Sequence, residues 1–376
     1  MNRFRLMVVV ALLGLGSLLA SGCGSDDDAS TTGAASGDST AAVDVSEFQA
    51  AAEEAMAPVT EWPGPSEGPA AQEGKRILFL ACGFAAEGCK RPADAAAEAG
   101  RALGWDVDVV DGKFDPKVYN RAIQQAVDQK VDGIILDAIS SEAVAQSLER
   151  ARAAGIPVGS WDSANTPSDE GVTYEVDVPN DAEGEAMGNY IVWKTDGKAN
   201  AYLLQAPEFK ACVAWVNGAK RVIESCKDCQ IAKEDQMTAA DAASRVPQLV
   251  VASLRENPDI NAVVAPYDAA MLATVPSMAQ AGVLDRVQVG AFNGITPWLD
   301  LIRKGEVEAT VAEPQEWGTW AAFDNMNRIL ADEEIVDQNI PIRLITQDNI
   351  DDIPAGESWQ GDIDFRAEYE RIWNGA

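Results

Sequence analysis

Asp137 and Asp162 are the residues whose setting first suggests chemistry. Each follows a short apolar run, 133–136 and 156–159, of a length suited to a buried strand, and Trp161 comes just before Asp162. Between the runs, Ser140 and Ser141 supply a polar turn that can start a helix. Val144, Leu148 and Ala151 then recur at helical spacing, with Glu142, Gln146, Glu149 and Arg150 on the opposite face, and Gly155 closes the segment. A strand, helix, strand unit of this kind carries its strands in parallel. Open parallel sheets bind ligands beyond the carboxyl ends of their strands, so both aspartates fall on a functional rim.

The totals restrict what that rim can do. The chain contains no histidine, which excludes Ser-His-Asp and Cys-His nucleophiles and every His-ligated metal site; no metal or cofactor is expected. Among its 376 residues, 29 are Lys or Arg and 60 Asp or Glu, and the net charge of -31 repels phosphate backbones and anionic lipid surfaces, so no nucleic-acid partner is expected. The 47% hydrophobic content is enough to fill the cores of two domains.

At the amino terminus, Arg3 and Arg5 precede an apolar core over 6–19, and Ala20, Ser21 and Gly22 lead to Cys23, the pattern of an export signal. It resembles a bacterial lipoprotein signal, which implies removal of residues 1–22 and a lipid on Cys23 that holds the protein to the outer face of the cell membrane. Residues 23–74 read as a tether: 24–45 is too polar and small to order, 46–56 suits a short helix, and Pro58, Pro63, Pro65 and Pro69 keep the remainder extended. As a flexible coil, those roughly fifty residues would reach on the order of 40 Å.

From residue 75 onward, strands and helices alternate. In the first half, strands are expected over 76–81, 105–110, 133–136, 156–159 and 172–176, with helices over 91–103 and 118–129 and the unit above. A second series opens with a helix over 182–194; its strands are 201–204, 230–233, 262–265, 287–290 and 309–312, and its helices 212–225, 240–255, 269–281 and 297–303. This pattern predicts an α/β protein of two doubly wound, parallel-sheet lobes. The strings VDGIIL, AAGIPVGSWD, VVAPYDAAML, QVGAFNG and VEATVAEP, in this order and spacing, resemble the type I periplasmic binding proteins, and most of all the ribose-type sugar-binding proteins of ABC importers. The stretch WPGP and the loop CGFAAEGC resemble lipoproteins of that family. The resemblance implies three crossings between lobes, near 177–179, 313–314 and 342–346. The first lobe is then 75–177 plus 314–342 and the second 178–313 plus 343–356, with an extension over 357–376 whose aromatic spacing predicts packing on the body.

Sites of that family present carboxylates and amides to hydroxyl groups, with aromatic faces against the ring. The resemblance makes Asp162 a hydroxyl acceptor and Asp268 the second member of a pair in which Tyr267 replaces asparagine. Asn293 stands where the family has aspartate, and Glu313 where it has glutamine; Asp137 shares the rim, and Phe84, Trp161 and Trp215 are aromatic candidates. The arginine expected after Asp162 is Ser163, and Val213 occupies the region of a second arginine, which removes the guanidinium forks that fix adjacent ring oxygens. An aromatic or cationic ligand therefore fits nearly as well as a sugar. Cys82 with Cys89 and Cys226 with Cys229 are expected as disulfides, and Cys212 is left over.

The expected role is a monomeric, lipid-anchored protein that captures a small solute between its lobes and passes it to an ABC permease. One alternative is a sensor that presents its ligand to a membrane receptor or kinase. Another, weaker alternative is a hydrolase using Asp162 and Glu313 as a carboxylate pair.

Overall fold

Apolar runs of five or so residues, flanked by turns and separated by amphipathic helices, can be buried on both faces only as strands of parallel sheets. In the computed structural model, which describes residues 44–168, 171–176 and 178–375, they form two such sheets. The chain begins with α1 (Ser46–Met56) and continues through β1 (Arg76–Ala81), α2 (Glu87–Leu103), β2 (Asp106–Asp111), α3 (Pro116–Gln129), β3 (Gly133–Asp137), α4 (Ala145–Ala153), β4 (Val158–Trp161) and β5 (Tyr174–Val176). It then runs through α5 (Asn180–Lys194), β6 (Asn200–Gln205), α6 (Lys210–Ser225), β7 (Gln230–Gln236), α7 (Arg245–Glu256), β8 (Ala262–Val264), α8 (Thr274–Gln280), β9 (Gln288–Asn293), α9 (Thr296–Lys304) and β10 (Ala309–Ala312). Last come α10 (Gln315–Leu330), β11 (Arg343–Thr346) and α11 (Phe365–Trp373).

The first sheet has the order β2-β1-β3-β4-β5 and the second β11-β10-β9-β8-β6-β7. Neighbours are parallel except β10 and β11, so the second lobe carries one antiparallel edge. Between β5 and α5 the chain passes from the first sheet to the second lobe; between β10 and α10 it returns, because α10 packs on α2 and β4; before β11 it crosses back. Ile342, just ahead of β11, packs against the cores of both lobes.

Two helices are shorter than their periodicity predicts. The segments 240–255 and 269–281 each split into a 3-10 turn, at Ala239–Asp241 and Asp268–Ala270, followed by α7 and α8. Pro247 and Pro276 are the third residues of these helices, a place where the missing N–H costs little, but a proline deeper inside an unbroken helix would clash with the preceding turn. Conversely, α2 starts at Glu87, earlier than residue 91, its first turn tied to β1 by the Cys82–Cys89 disulfide. Cys226 and Cys229 close a second disulfide after α6, and Cys212 is a buried free thiol.

The signal, Cys23 and the segment up to residue 43 lie outside the described residues. The stretch from Ser46 to Lys75 is a correction to the tether reading, because it is docked. α1 lies on α5, burying Ala52 in the second lobe. Further along, Trp62 stacks on Trp317 with 5.0 Å between ring centroids, the Ala71 N–H donates to the Trp373 carbonyl at 2.9 Å and the Gln72 N–H to Asn327 Oδ1 at 2.9 Å, all on the first lobe. Too many aromatic faces meet there for the prolines to leave the chain free in solvent. The extension joins the same cluster: Phe365 stacks on Trp317 and Trp373 on Trp320, at 5.8 and 5.2 Å, and Trp373 Nε1 donates to Asp324 at 2.9 Å. Arg343 in β11, only 2% exposed, donates to the Met56 carbonyl at 3.0 Å and pairs with Asp352 and Asp362, while Asp362 also accepts the Val59 N–H at 2.8 Å. Both chain ends thus connect the two lobes on the side of the crossings.

The packing of α10 on β4 leaves no room for a side chain at one point. A Cβ at Gly318 would lie 1.9 Å from Cη2 of Trp161. Gly318→Ala should lower unfolding stability by about 1–3 kcal/mol, the usual cost of overpacking, read as a lower urea midpoint at unchanged slope; an unshifted midpoint would contradict this packing.

Candidate functional site

The carboxyl ends of both sheets face one cleft, and the residues just past the strands take backbone shapes that suit a rim. Ala138 after β3, Asp162 after β4 and Asn293 at the end of β9 all have positive φ, 51°, 51° and 96°. Such conformations are tolerated by Asp and Asn and disfavoured for Ala, and they tend to gather where a site imposes them. Asp162 is held in place by its neighbour: the Ser163 N–H donates to Glu175 at 2.8 Å, and Ser163 Oγ donates to the Trp161 carbonyl at 2.9 Å and accepts the Ile139 N–H at 3.1 Å. The serine that replaces an expected arginine therefore pins the turn.

Between the lobes lies a cavity of about 350 Å³, at the small end of the range for small-molecule sites. Alanines make the largest share of its wall, among them Ala240, Ala243, Ala269 and Ala273 from the turns ahead of α7 and α8. Phe114, Phe209, Tyr267 and Trp215 supply aromatic surface; Phe209 meets the edges of Phe114 and Tyr267 at 6.2 and 5.9 Å, and Trp215 is backed by Phe292 at 5.3 Å. The polar lining includes Asp162, Asn293, Gln315 and the Tyr267 hydroxyl, and among the described residues no Lys or Arg lines the cavity.

Under the polar end sits Glu313, fully buried at the second crossing. Its Oε1 accepts from Asn293 Nδ2 at 2.9 Å and from Gln315 Nε2 at 3.2 Å. These two bonds fix both amides, because turning either would set oxygen against oxygen. Asp162 lies close enough to the same glutamate to feel its charge. Two carboxyls this near resist both being ionised in an apolar site. Burial raises the affinity of both for protons, but the donors around Glu313 offset this, whereas Asp162 is pushed well above the usual carboxylate range by burial and then by the charge of Glu313. Asp162 is accordingly the carboxyl of the two whose proton affinity is raised further. Asp137 and Glu183, also buried, are raised by desolvation and by Glu313. The Trp215 indole N–H faces Glu183 without closing a hydrogen bond. Arg91 is the cation acting on Glu313, but it is bound by Glu316 at 2.6 Å and sits outside the cavity wall.

The structure brings Asp162, Asn293, Tyr267 and Trp215 to the cavity, with Glu313 and Asp137 directly behind. Three expected contacts are corrected. Trp161 is fully buried in the first-lobe core against Gly318, because its side chain takes the opposite face of β4 from the cleft. Phe84 also lies off the cavity: its N–H donates to Asp111 at 3.0 Å and Lys90 sits 5.6 Å from its ring centre. Asp268 is a buried strut, accepting the Ile295 N–H and the Thr310 hydroxyl, each at 3.0 Å, and so fixes the turn between β9 and α9. Residues missed from the sequence are Gln315, Phe114, Phe209, Glu183 and the alanine turns; of these, Gln315 was marked by its place next to Glu313-Pro314, and Pro247 and Pro276 signalled that the alanine segments were not helical.

The lobes meet around the cavity. Glu87 Oε1 at the start of α2 accepts from the Thr296 N–H and hydroxyl at the start of α9, at 3.0 and 2.8 Å, and Lys210 pairs with Glu142 at 2.6 Å.

Comparison with known proteins agrees with this geometry. The periplasmic binding protein domain matches residues 79–334. The D-apiose import binding protein of Paraburkholderia graminis is 25% identical over 248 residues, 64% of this chain and 76% of that protein. The ribose import binding protein of Escherichia coli is 24% identical over 238 residues, 62% and 77% of the two chains. The solved 5-methylthioribose transporter solute binding protein of Thermotoga lettingae superposes with a TM-score of 0.67 at 19% identity, covering 79% of this chain and 98% of that one. These relatives are binding components of importers, and this chain is a binding protein, not an enzyme.

A carboxyl whose proton affinity is raised on folding stabilises the fold fully below its unfolded pKa, near 3.8 for Asp162, and loses that contribution as pH rises toward the raised value. Asp162→Asn removes this penalty. Its melting temperature, measured without ligand, should match the parent near pH 4 and exceed it by about 2 °C or more at pH 8. Equal melting temperatures at both pH values would refute the raised proton affinity of Asp162.

Proposed function

The chain belongs to the periplasmic binding protein domain family, and on that premise we propose that it is an extracytoplasmic, lipid-anchored solute-binding protein that closes two lobes on a small molecule and delivers it to an ABC importer. The observation that carries this reading is the enclosed cavity at the carboxyl ends of both sheets, bridged by contacts from each lobe. Closure follows if the ligand bonds to Asp162 on one side and Asn293 on the other, because a ligand favours the closed state only by its differential affinity for it. The relatives' names place D-apiose and ribose among the solutes of this family, so a sugar or related polar solute is the starting class.

Two outcomes test the reading. Asp162→Ala together with Asn293→Ala should abolish thermal stabilisation by the solute retained in the purified protein, with the fold intact by circular dichroism; retained stabilisation would sink the site. Cys23→Ser should shift the protein from the membrane fraction to the medium, and recovery of an ABC permease on crosslinking the parent supports delivery, whereas a kinase or chemoreceptor in its place would favour sensing.

A further inference from the structure

At the Asp162 end the cavity's unused polar atoms are acceptors, while the unpartnered donors are the Trp215 indole N–H, which faces Glu183, and the Tyr267 hydroxyl. Gln315 is 1% exposed and spends its Nε2 on Glu313, so its Oε1, buried and without a partner, is what it offers the cavity. Asn293 likewise spends its Nδ2 on Glu313, which leaves its Oδ1 for a ligand. Asp162 Oδ1 and Glu313 Oε2 are buried with no donor. Opposite them stand the Tyr267 hydroxyl, also unpartnered, and a wall of alanine and aromatic carbon. Among the described residues no Lys or Arg lines the space to balance the charge of these carboxyls.

An occupant must therefore bring donors and positive charge to one end and apolar surface to the other, because a buried charge without a counter-ion is strongly disfavoured. A polyol could pair with the Asp162 end, the Tyr267 hydroxyl and the Trp215 N–H, but its remaining hydroxyls would lose water against alanine methyls and ring faces, and it brings no charge to balance the carboxyls. The aromatic faces of Phe114, Phe209 and Tyr267 also attract cations. At about 30 Å³ for each water-sized group, the cavity holds on the order of a dozen such groups.

We propose that the solute is an organic monocation: a protonated amine whose ammonium donates to Asp162, Asn293 and Gln315, and whose compact apolar or aromatic body fills the alanine-walled half of the cavity. This rests on the solute-binding reading above and replaces the sugar by another ligand class.

The test compares phenethylamine, its neutral isostere 2-phenylethanol, D-ribose and D-apiose by isothermal titration of the full mature protein, alongside native mass spectrometry of protein isolated from its own cells. The expected result is that phenethylamine binds roughly tenfold or more tightly than 2-phenylethanol, as hydrogen bonds to a charged group allow, that the sugars do not compete, and that Asp162→Asn combined with Glu313→Gln, which removes both carboxyls, erases the preference for the amine while 2-phenylethanol still binds. A retained molecule that is a cationic amine supports the same conclusion. Binding or retention of a sugar or other neutral molecule, or equal affinity for amine and alcohol, overturns the cation assignment and leaves solute capture standing. No retained molecule together with no binding of any probe overturns both.

Discussion

The constraint on which this structure turns is the burial of acid between two lobes. Asp162, Asp137 and Glu183 all lie close enough to Glu313 to feel its charge. A single ionised carboxyl moved from water to an apolar interior is costly by several kcal/mol even after relaxation, and here the local offsets to Glu313 are two amide donors and the more distant Arg91. The remainder of the cost must be met by packing elsewhere. Trp62, Trp317, Trp320, Phe365, Tyr369 and Trp373 supply it on the first lobe, in a cluster of stacked and edge-on rings away from the cleft. Aromatic side chains bury the largest areas and gain further from ring geometry. The extensions at both ends of the chain are thus part of how the site can exist.

The family core was legible because parallel strands buried on both faces read as short apolar runs, and VDGIIL and AAGIPVGSWD state theirs plainly. The same property hid the site. A strand buried on both faces has no polar alternation to tell which side chain points to the cleft, so Trp161 looked like a ligand-stacking ring next to Asp162, although it packs under Gly318. Asp162 escaped this ambiguity because it lies beyond the strand, where a left-handed turn redirects it. Asp268 misled for a different reason: carboxylates that cap or brace turns and carboxylates that bind ligands share sequence positions at strand ends, and only the bonds to Ile295 and Thr310 separate them.

The alanine segments show how a local rule can overstate order. Ala239, Ala240, Ala242 and Ala243, and again Ala269, Ala270 and Ala273, have the highest helix propensity available, and the periodicity continues into α7 and α8. Pro247 and Pro276 disfavour a helix that begins well before them, a cost that α2 bears at Pro92. The released turns then lie against the cavity as methyl-lined wall, so two prolines outside the site decide what the site can accommodate. Small side chains here also widen the space, which larger residues in the same turns would fill.

Closure itself is thinly supported by protein contacts. The Lys210–Glu142 pair is partly exposed, at 35% and 67% for the two side chains, and exposed pairs contribute about 0–1 kcal/mol. The Glu87 carboxylate on Thr296 is the better bond, since it accepts twice at the start of a helix whose dipole favours negative charge. Together they amount to about the energy of one or two ordinary charged hydrogen bonds. The edge-on meeting of Phe114 with Phe209 adds an apolar contact between the lobes. Against these acts the cost of burying acids gathered from both lobes, which opening relieves by admitting water. A small molecule that satisfies the acceptors at the polar end adds its differential affinity to the closed form.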